Sequence, residues 1–122
     1  MIKILANDGI DAAGKKIFDA AGFTVSTDKV PQEKLAEALK NFDAILVRSA
    51  TTVRTDVIDA CPNLKVIGRA GVGMDNIDVK YARDKGLAVI NTPAASSQSV
   101  AELVFAHLFT GVRMLYDANR NM

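Results

Sequence analysis

The sequence predicts an α/β fold in which a five-stranded parallel sheet carries helices on both faces. Five short apolar runs alternate with amphipathic segments along 122 residues, and this alternation is typical of repeated β-α-β units. The run Ala44–Val47 is apolar at every position, as expected for a strand that is buried on both of its faces. A chain of this length can bury a substantial hydrophobic core.

Each predicted element has a local signal. Gly22 and Gly86 follow helix ends, where a left-handed residue closes the helix, and Pro31 marks a helix start. We expect right-handed crossovers between the parallel strands and the flavodoxin-like strand order 2-1-3-4-5. The expected strands are residues 2–6, 23–25, 44–47, 64–67 and 87–90. The expected helices are residues 9–21, 31–40, 56–60 and 77–85, with a long last helix after a small-residue loop at 91–98.

Composition and charge exclude several classes of function. A net charge of +1 and an aromatic content of 6% without Trp give no basis for binding nucleic acid or a membrane surface. No stretch reaches the roughly 18 apolar residues expected of a membrane span. Cys61 is the only cysteine and His107 the only histidine, so we expect no disulfide and no metal site. A lone thiol fits a reducing compartment, and we expect a cytoplasmic protein.

The glycine-rich run at residues 66–77, V-I-G-R-A-G-V-G-M-D-N-I, predicts a loop that binds an anion after the fourth strand. Gly71 and Gly73 let the backbone approach a ligand closely with amide groups pointing at it, and Arg69 adds a permanent positive charge. Asn76 stands where a dinucleotide fingerprint has its third glycine, and the next strand does not end in an acidic residue. A small anion is therefore favoured over a dinucleotide, with a tight turn without a ligand as the alternative.

A second cationic segment, V-R-S-A-T at residues 47–51, follows the third strand. In open parallel sheets, ligands bind outside the carboxyl ends of the strands. Arg48 and Arg69 lie at the ends of strands that we expect to be neighbours, so their side chains are expected to converge with Ser49 on one carboxylate or phosphate. For either arginine alone, a solvated surface charge remains the alternative.

The last helix has an apolar side that is wider than a surface helix needs. Ser99 and Glu102 have the spacing of a capping box, which predicts that the helix begins there. We expect this helix to contact a second domain or a second subunit, giving a homodimer through residues 99–119, and packing within its own domain is the alternative. Its apolar residues are Val100, Leu103, Val104, Phe105, Leu108, Phe109, Val112 and Leu115.

Together these segments resemble the D-2-hydroxyacid dehydrogenase family, and the resemblance covers nearly the whole chain. The matching segments are VRSAT at 47–51, TDVIDACPNLKVIG at 55–68, GRAGVGMDNID at 68–78, A-R-x-K-G-L-A-V-I-N-T-P at 82–93 and SVAELV at 99–104. The resemblance implies a flavodoxin-like substrate domain with an inserted nicotinamide-binding domain, and oxidation of a D-2-hydroxy acid by hydride transfer to NAD. Residues 1–98 would form the substrate domain, incompletely, and residues 99–122 the helix that crosses between domains.

By this resemblance, specific residues acquire expected roles. Arg48, Ser49 and Arg69 would face the anionic groups of the substrate. The backbone of Gly71, Val72 and Gly73 would hold the substrate carboxylate, and Val72 would lie near the nicotinamide end of NAD.

The family's G-x-G-x-x-G run and its catalytic Arg, Glu and His have no counterparts among the 122 residues. We therefore expect an absent NAD-binding domain, no catalytic residue in this chain, no tight NAD binding and no activity from the chain alone. Phosphoglycerate is favoured as the substrate because two arginines suit a phosphate plus a carboxylate, while glyoxylate and glycerate stay open. A free-standing flavodoxin-like module that binds a small anion without catalysis is the alternative.

Overall fold

The computed structural model describes residues 1–121, except for the side chains of Leu115 and Tyr116. The chain divides into two compact units, Met1–Thr92 and a second unit that begins at Pro93. All five strands lie in the first unit, and the last two helices form the second.

The first unit is built on a parallel sheet with the strand order β2-β1-β3-β4-β5, which confirms the predicted flavodoxin-like topology. Buried residues at the middle of the four longest strands are paired in register: Leu5 with Ile45, Ile45 with Ile67, and Ile67 with Val89. The strands are β1 (Lys3–Ala6), β2 (Thr24–Ser26), β3 (Ala44–Val47), β4 (Val66–Arg69) and β5 (Ala88–Asn91).

Helices connect the strands close to the predicted positions. Asp11 caps the first helix, since its side chain accepts a hydrogen bond from Ala13 N at 2.8 Å. Gly22 and Gly86 have φ values of +81° and +87°, the left-handed geometry expected after a helix end. The segment predicted as one helix at 31–40 instead begins with a 3-10 turn, Gln32–Lys34. The helices are α1 (Ala12–Ala20), α2 (Leu35–Leu39), α3 (Thr55–Ala60) and α4 (Val79–Asp84).

The sheet buries apolar side chains on both faces, as predicted. Successive strand residues point to opposite faces, and they belong to two separate clusters. On one face Leu5, Ile45 and Ile67 pack in a cluster with residues of α2, α3 and α4. On the other face Ile4 and Ala44 form a smaller cluster, against which Phe18 of α1 packs.

The second unit contains two helices where the sequence predicts one. Helix α5 (Ser97–Arg113) ends at Met114, which has a left-handed φ of 49° and donates its N–H to the carbonyl of Thr110. That conformation interrupts the hydrogen-bond ladder, and α6 (Leu115–Asn121) follows as a separate helix. The prediction of one continuous helix over 99–119 is therefore wrong.

The predicted capping box is wrong as well. Helix α5 begins two residues before Ser99, and its capping residue Ser96 makes no side-chain hydrogen bond. Glu102 instead accepts a hydrogen bond at 2.9 Å from Gln98, one turn earlier on the same helix.

The apolar side of α5 leaves large side chains at least half exposed, and the rings of Phe105 and Phe109 stack with centroids 6.2 Å apart. The predicted stripe also includes Leu115, whose side chain lies outside the described part of the structure. Within residues 1–121, no helix combines the length and the apolar character that crossing a membrane requires. The exposed residues are Val100, Leu103, Val104, Phe105, Leu108, Phe109 and Val112.

Candidate anion site at the carboxyl edge of the sheet

The candidate site lies where β3, β4 and β5 end. Val47, Arg69 and Asn91 are paired across these three strands, so the loops that follow them start side by side. Because all strands are parallel, this edge collects the segments in which the sequence predicted binding residues.

The two predicted arginines are neighbours at this edge. The Nε of Arg69 donates a hydrogen bond to the backbone carbonyl of Arg48 at 3.2 Å. Arg48 and Ser49 are exposed, and Arg69 is half-buried. Arg48, Ser49 and Arg69 thus lie at the same edge of the sheet, and Arg69 contacts the backbone of Arg48; the predicted convergence of their side chains on one anion stays a prediction.

The glycine loop fits closely against Arg69. Gly71 donates its N–H to the Arg69 carbonyl at 3.0 Å, and a Cβ at position 71 would overlap the Nη1 atom of Arg69. A side chain at this position therefore conflicts with the observed place of the guanidinium. Gly73, in contrast, has open space around the position of a Cβ.

Residues at the end of β5 hold the carbonyl groups of the glycine loop. Thr92 donates its N–H to the Gly71 carbonyl at 3.0 Å, and the Asn91 side chain donates to the Val72 carbonyl at 2.8 Å. Among residues 1–121, the N–H groups of Val72 and Gly73 donate no backbone hydrogen bond. Since the carbonyls are held and these amides are free, the loop offers donors for an anion.

Asp8, which the sequence did not indicate as a residue of the site, binds the backbone of the loop that carries Arg48. Its side chain is only 4% exposed. Its Oδ2 accepts from the N–H groups of Arg48 at 2.7 Å and Thr51 at 3.1 Å. Its Oδ1 accepts from Thr51 Oγ1 at 2.6 Å and from Lys29 Nζ at 2.5 Å.

These contacts determine the charge state of Asp8. Burial by itself raises the pKa of this carboxyl. The hydrogen bonds from Lys29, from Thr51 and from the two backbone amides outweigh burial and lower the pKa to about 2. Asp8 therefore stays ionised at neutral pH and is an acceptor only.

Two asparagines complete the support of the loop. Asn7 donates its Nδ2 to Thr51 Oγ1 at 2.9 Å, and Asn76 donates its Nδ2 to the carbonyls of Arg48 at 2.8 Å and Thr51 at 2.7 Å. The position of Asn7 and Asp8 directly after the first strand is the sequence signal for this group, because that position lies at the same edge of the sheet.

The hydrogen bonds at this edge of the sheet come from arginine, asparagine, threonine and lysine donors and from the carboxylate of Asp8. The carboxylate of Asp8 is occupied by four donors. Among residues 1–121, no group of three or more His, Cys, Asp and Glu side chains is placed to hold a metal ion.

A five-stranded parallel sheet with helices packed on both faces defines an α/β domain of the doubly wound class. The family described as D-isomer specific 2-hydroxyacid dehydrogenase, catalytic domain, matches residues 4–122. The chain belongs to this family, as the resemblance in the sequence indicated.

Relatives agree with this assignment. The chain is 43% identical over its full length to D-3-phosphoglycerate dehydrogenase of Methanocaldococcus jannaschii, and it covers 23% of that protein. It is 39% identical over 117 residues to hydroxypyruvate reductase of Thermotoga maritima, covering 95% of this chain and 38% of the reductase. The chain thus spans well under half of the curated relatives that it matches.

Solved structures show the same fold. The NAD+-bound 3-phosphoglycerate dehydrogenase of Entamoeba histolytica matches with a TM-score of 0.75 and 30% identity, over 92% of this chain and 39% of that one. The TT0316 protein of Thermus thermophilus matches with a TM-score of 0.85 over 98% of this chain and 39% of the TT0316 chain. Because the two sequences are only 21% identical, this match supports the fold alone.

The contact between Gly71 and Arg69 leads to a prediction. Gly71→Ala should displace the Arg69 guanidinium and break its hydrogen bond to the Arg48 carbonyl, while the sheet stays folded, since the far end of a flexible side chain can move. Loss of this bond should lower the free energy of unfolding by about 0.5–1.5 kcal/mol, and a Cβ on a backbone with a φ of 159° adds strain in the same direction. The NMR signal of the Arg69 Nε–H group and thermal unfolding measure the two effects. Gly73→Ala is the matched control and should leave the Arg69 signal in place; an unchanged signal in Gly71→Ala would contradict the prediction.

Proposed function

We propose that this chain is the substrate-binding domain of an NAD-dependent D-2-hydroxyacid dehydrogenase, and of a D-3-phosphoglycerate dehydrogenase in particular. The full enzyme would oxidise 3-phosphoglycerate to 3-phosphohydroxypyruvate, the first step of serine biosynthesis. The observation that carries the proposal is the pair of arginines at neighbouring strand ends, with Arg69 hydrogen-bonded to the backbone of Arg48. Relatives with this name in Methanocaldococcus jannaschii and Rattus norvegicus are 43% and 40% identical to the chain.

The charges of the site suit a phosphorylated hydroxy acid. Arg48 and Arg69 each present a planar group with several donors, which matches the oxygens of a phosphate or a carboxylate. Ser49 and the free amides of the glycine loop add neutral donors. Two guanidinium groups thus suit a ligand with two anionic groups, whereas glyoxylate or glycerate offers one carboxylate only.

The glycine loop does not fit the pyrophosphate of a dinucleotide. The side chain of Asn76 occupies the place of a third glycine and is already bonded to the Arg48 and Thr51 carbonyls. We propose that NAD is held by a separate NAD-binding domain. The exposed side chain of Val72 would then contribute an apolar contact near the nicotinamide.

If a separate domain holds NAD, the role of this chain is to bind and orient the substrate. NAD held by that separate domain would supply the acceptor for the hydride of the substrate. The carboxyl edge of the sheet would fix the carboxylate and the phosphate, so that the carbon carrying the hydroxyl group takes one position. The lone buried thiol of Cys61 is consistent with the cytoplasmic location that we propose.

The second candidate is a small-anion-binding module that acts without catalysis. The free amides of the glycine loop and the two arginines favour it as much as they favour the first candidate, because anion binding is common to both. The difference lies in whether an NAD-binding domain partners the chain.

Titration with an anion tests the site directly. Addition of 3-phosphoglycerate should shift the amide signals of residues 48–50 and 69–73. Arg48→Gln and Arg69→Gln should each weaken binding by roughly ten- to a hundredfold, because a hydrogen bond to a charged group contributes about 1.5–3 kcal/mol. Lys65→Gln is the control: it removes one charge beside the amino end of β4, at the opposite edge of the sheet. Signals that stay unchanged at millimolar ligand would rule out the site.

An activity assay of the chain alone tests the proposal that NAD is held by a separate domain. We expect no hydride transfer and no tight NAD binding from the purified chain with NAD and D-2-hydroxy acids, because the reacting atoms must be held about 3–3.5 Å apart. Absorbance of NADH at saturating substrate is the measurement. Turnover above background would refute this prediction, while anion binding would be unaffected by that result.

The apolar side of α5 leads to a prediction about association. Each buried side chain of this size contributes roughly 1.5–3 kcal/mol, and a patch this large favours a twofold contact between two chains. Light scattering coupled to size exclusion at micromolar concentration should report a dimer. Phe105→Asp should dissociate it, whereas Thr110→Asp places the same charge on the polar side and should not. A monomer of the 13.0 kDa chain would contradict the prediction.

A further inference from the structure

We propose that Asp8 is a positioning residue that holds residues 48–51, here named the arginine loop, in the shape that presents its free donors to the anion. The inference rests on the proposed function, because it assigns a support to the same site. Asp8 itself is buried and reaches the anion only through the backbone of the loop.

The hydrogen bonds of Asp8 join the two ends of the arginine loop. A single atom, Oδ2, accepts the N–H of Arg48, the first residue after β3, and the N–H of Thr51 three residues later. An acceptor shared between these two amides fixes the distance between the ends of the loop. The residues between them, Ser49 and Ala50, are exposed.

The carbonyl groups of the same two end residues are held from the other side. Asn76 donates to both the Arg48 and the Thr51 carbonyls, and Arg69 also donates to the Arg48 carbonyl. Among residues 1–121, the N–H groups of Ser49 and Ala50 donate no hydrogen bond. Both ends of the arginine loop are therefore satisfied, and its two middle amides remain as donors for a ligand.

A fixed network orients the carboxylate. Thr51 Oγ1 accepts a hydrogen bond from Asn7 Nδ2, so the hydroxyl hydrogen is available for Asp8 Oδ1. Lys29 Nζ binds the same Oδ1 and balances the negative charge of Asp8. Without this balance, a carboxylate so close to the loop would weaken the attraction of the two arginines for an anion.

Asp8→Asn tests the proposal in the 122-residue chain. The variant keeps the shape of the side chain but removes the charge and places a donor where an acceptor stood. We expect amide hydrogen exchange at Arg48 and Thr51 to become at least about tenfold faster, with unchanged exchange at the core strand residues Ile45 and Ile67. Affinity for 3-phosphoglycerate should fall by about tenfold.

Asp43→Asn is the matched control. Asp43 also accepts a backbone N–H, from Lys3 at 2.9 Å, but it lies at the amino ends of the strands. Asp43→Asn should show the same amide hydrogen exchange in the arginine loop and the same affinity for 3-phosphoglycerate as the parent chain. A general loss of stability would instead raise exchange throughout the sheet, in the core strands as much as in the loop.

The outcomes separate the two proposals. A parent chain that does not bind 3-phosphoglycerate contradicts the proposed function, and exchange without ligand then decides on Asp8 alone. The role of Asp8 is overturned if amide exchange at Arg48 and Thr51 is as slow in Asp8→Asn as in the parent chain. Where the parent chain binds 3-phosphoglycerate, the role is also overturned if Asp8→Asn exchanges faster but keeps the affinity of the parent chain. If Asp8→Asn does not fold, Asp8→Glu, which keeps the charge but displaces the carboxylate by one methylene group, must show the same local change or the proposal fails.

Discussion

The parallel pairing of β3 with β4 is the constraint on which the candidate site depends. It sets Val47 beside Arg69, so the segments that follow both strands leave the sheet at adjacent points. The Arg69 side chain can then reach the carbonyl of Arg48 across one strand spacing. A shift of the register by one residue would turn Arg69 to the opposite face and break its hydrogen bond to the Arg48 carbonyl. The buried pair Ile45 and Ile67 fixes the register, because its slippage would expose apolar side chains.

The strand order and the positions of the two arginines at strand ends were predictable from the sequence, because both depend on local sequence signals. Apolar runs locate the strands, their alternation with helices is typical of a doubly wound sheet, and Arg48 and Arg69 come directly at the strand ends. The support of the arginine loop was not predicted, since it joins Asp8 to Thr51 across 43 residues of chain. The position of Asn7 and Asp8 directly after β1 signals only that they lie at the same edge of the sheet, whereas their hydrogen bonds to Thr51 follow from the placement of the loops in space.

The errors in the last helices have a related cause. Ser99 and Glu102 have the spacing of a capping box, but that pattern does not decide between helix starts when Ser96, Ser97 and Ser99 all precede the apolar run. Met114 carries no signal for a break, since methionine has a good helix propensity. Its left-handed conformation is a property of the folded backbone.

An anion site that is built over a buried carboxylate requires an explanation in terms of charge. Asp8 carries its negative charge at neutral pH, and four donors surround it. One of these donors is the cation of Lys29, so the pair as a whole is neutral, and within the described part of the chain neither Arg48 nor Arg69 forms an ion pair. The carboxylate meanwhile accepts the end amides of the loop, which a neutral acceptor would hold less strongly. The same charge that would repel a substrate anion is thus balanced locally and used to order the backbone that receives it.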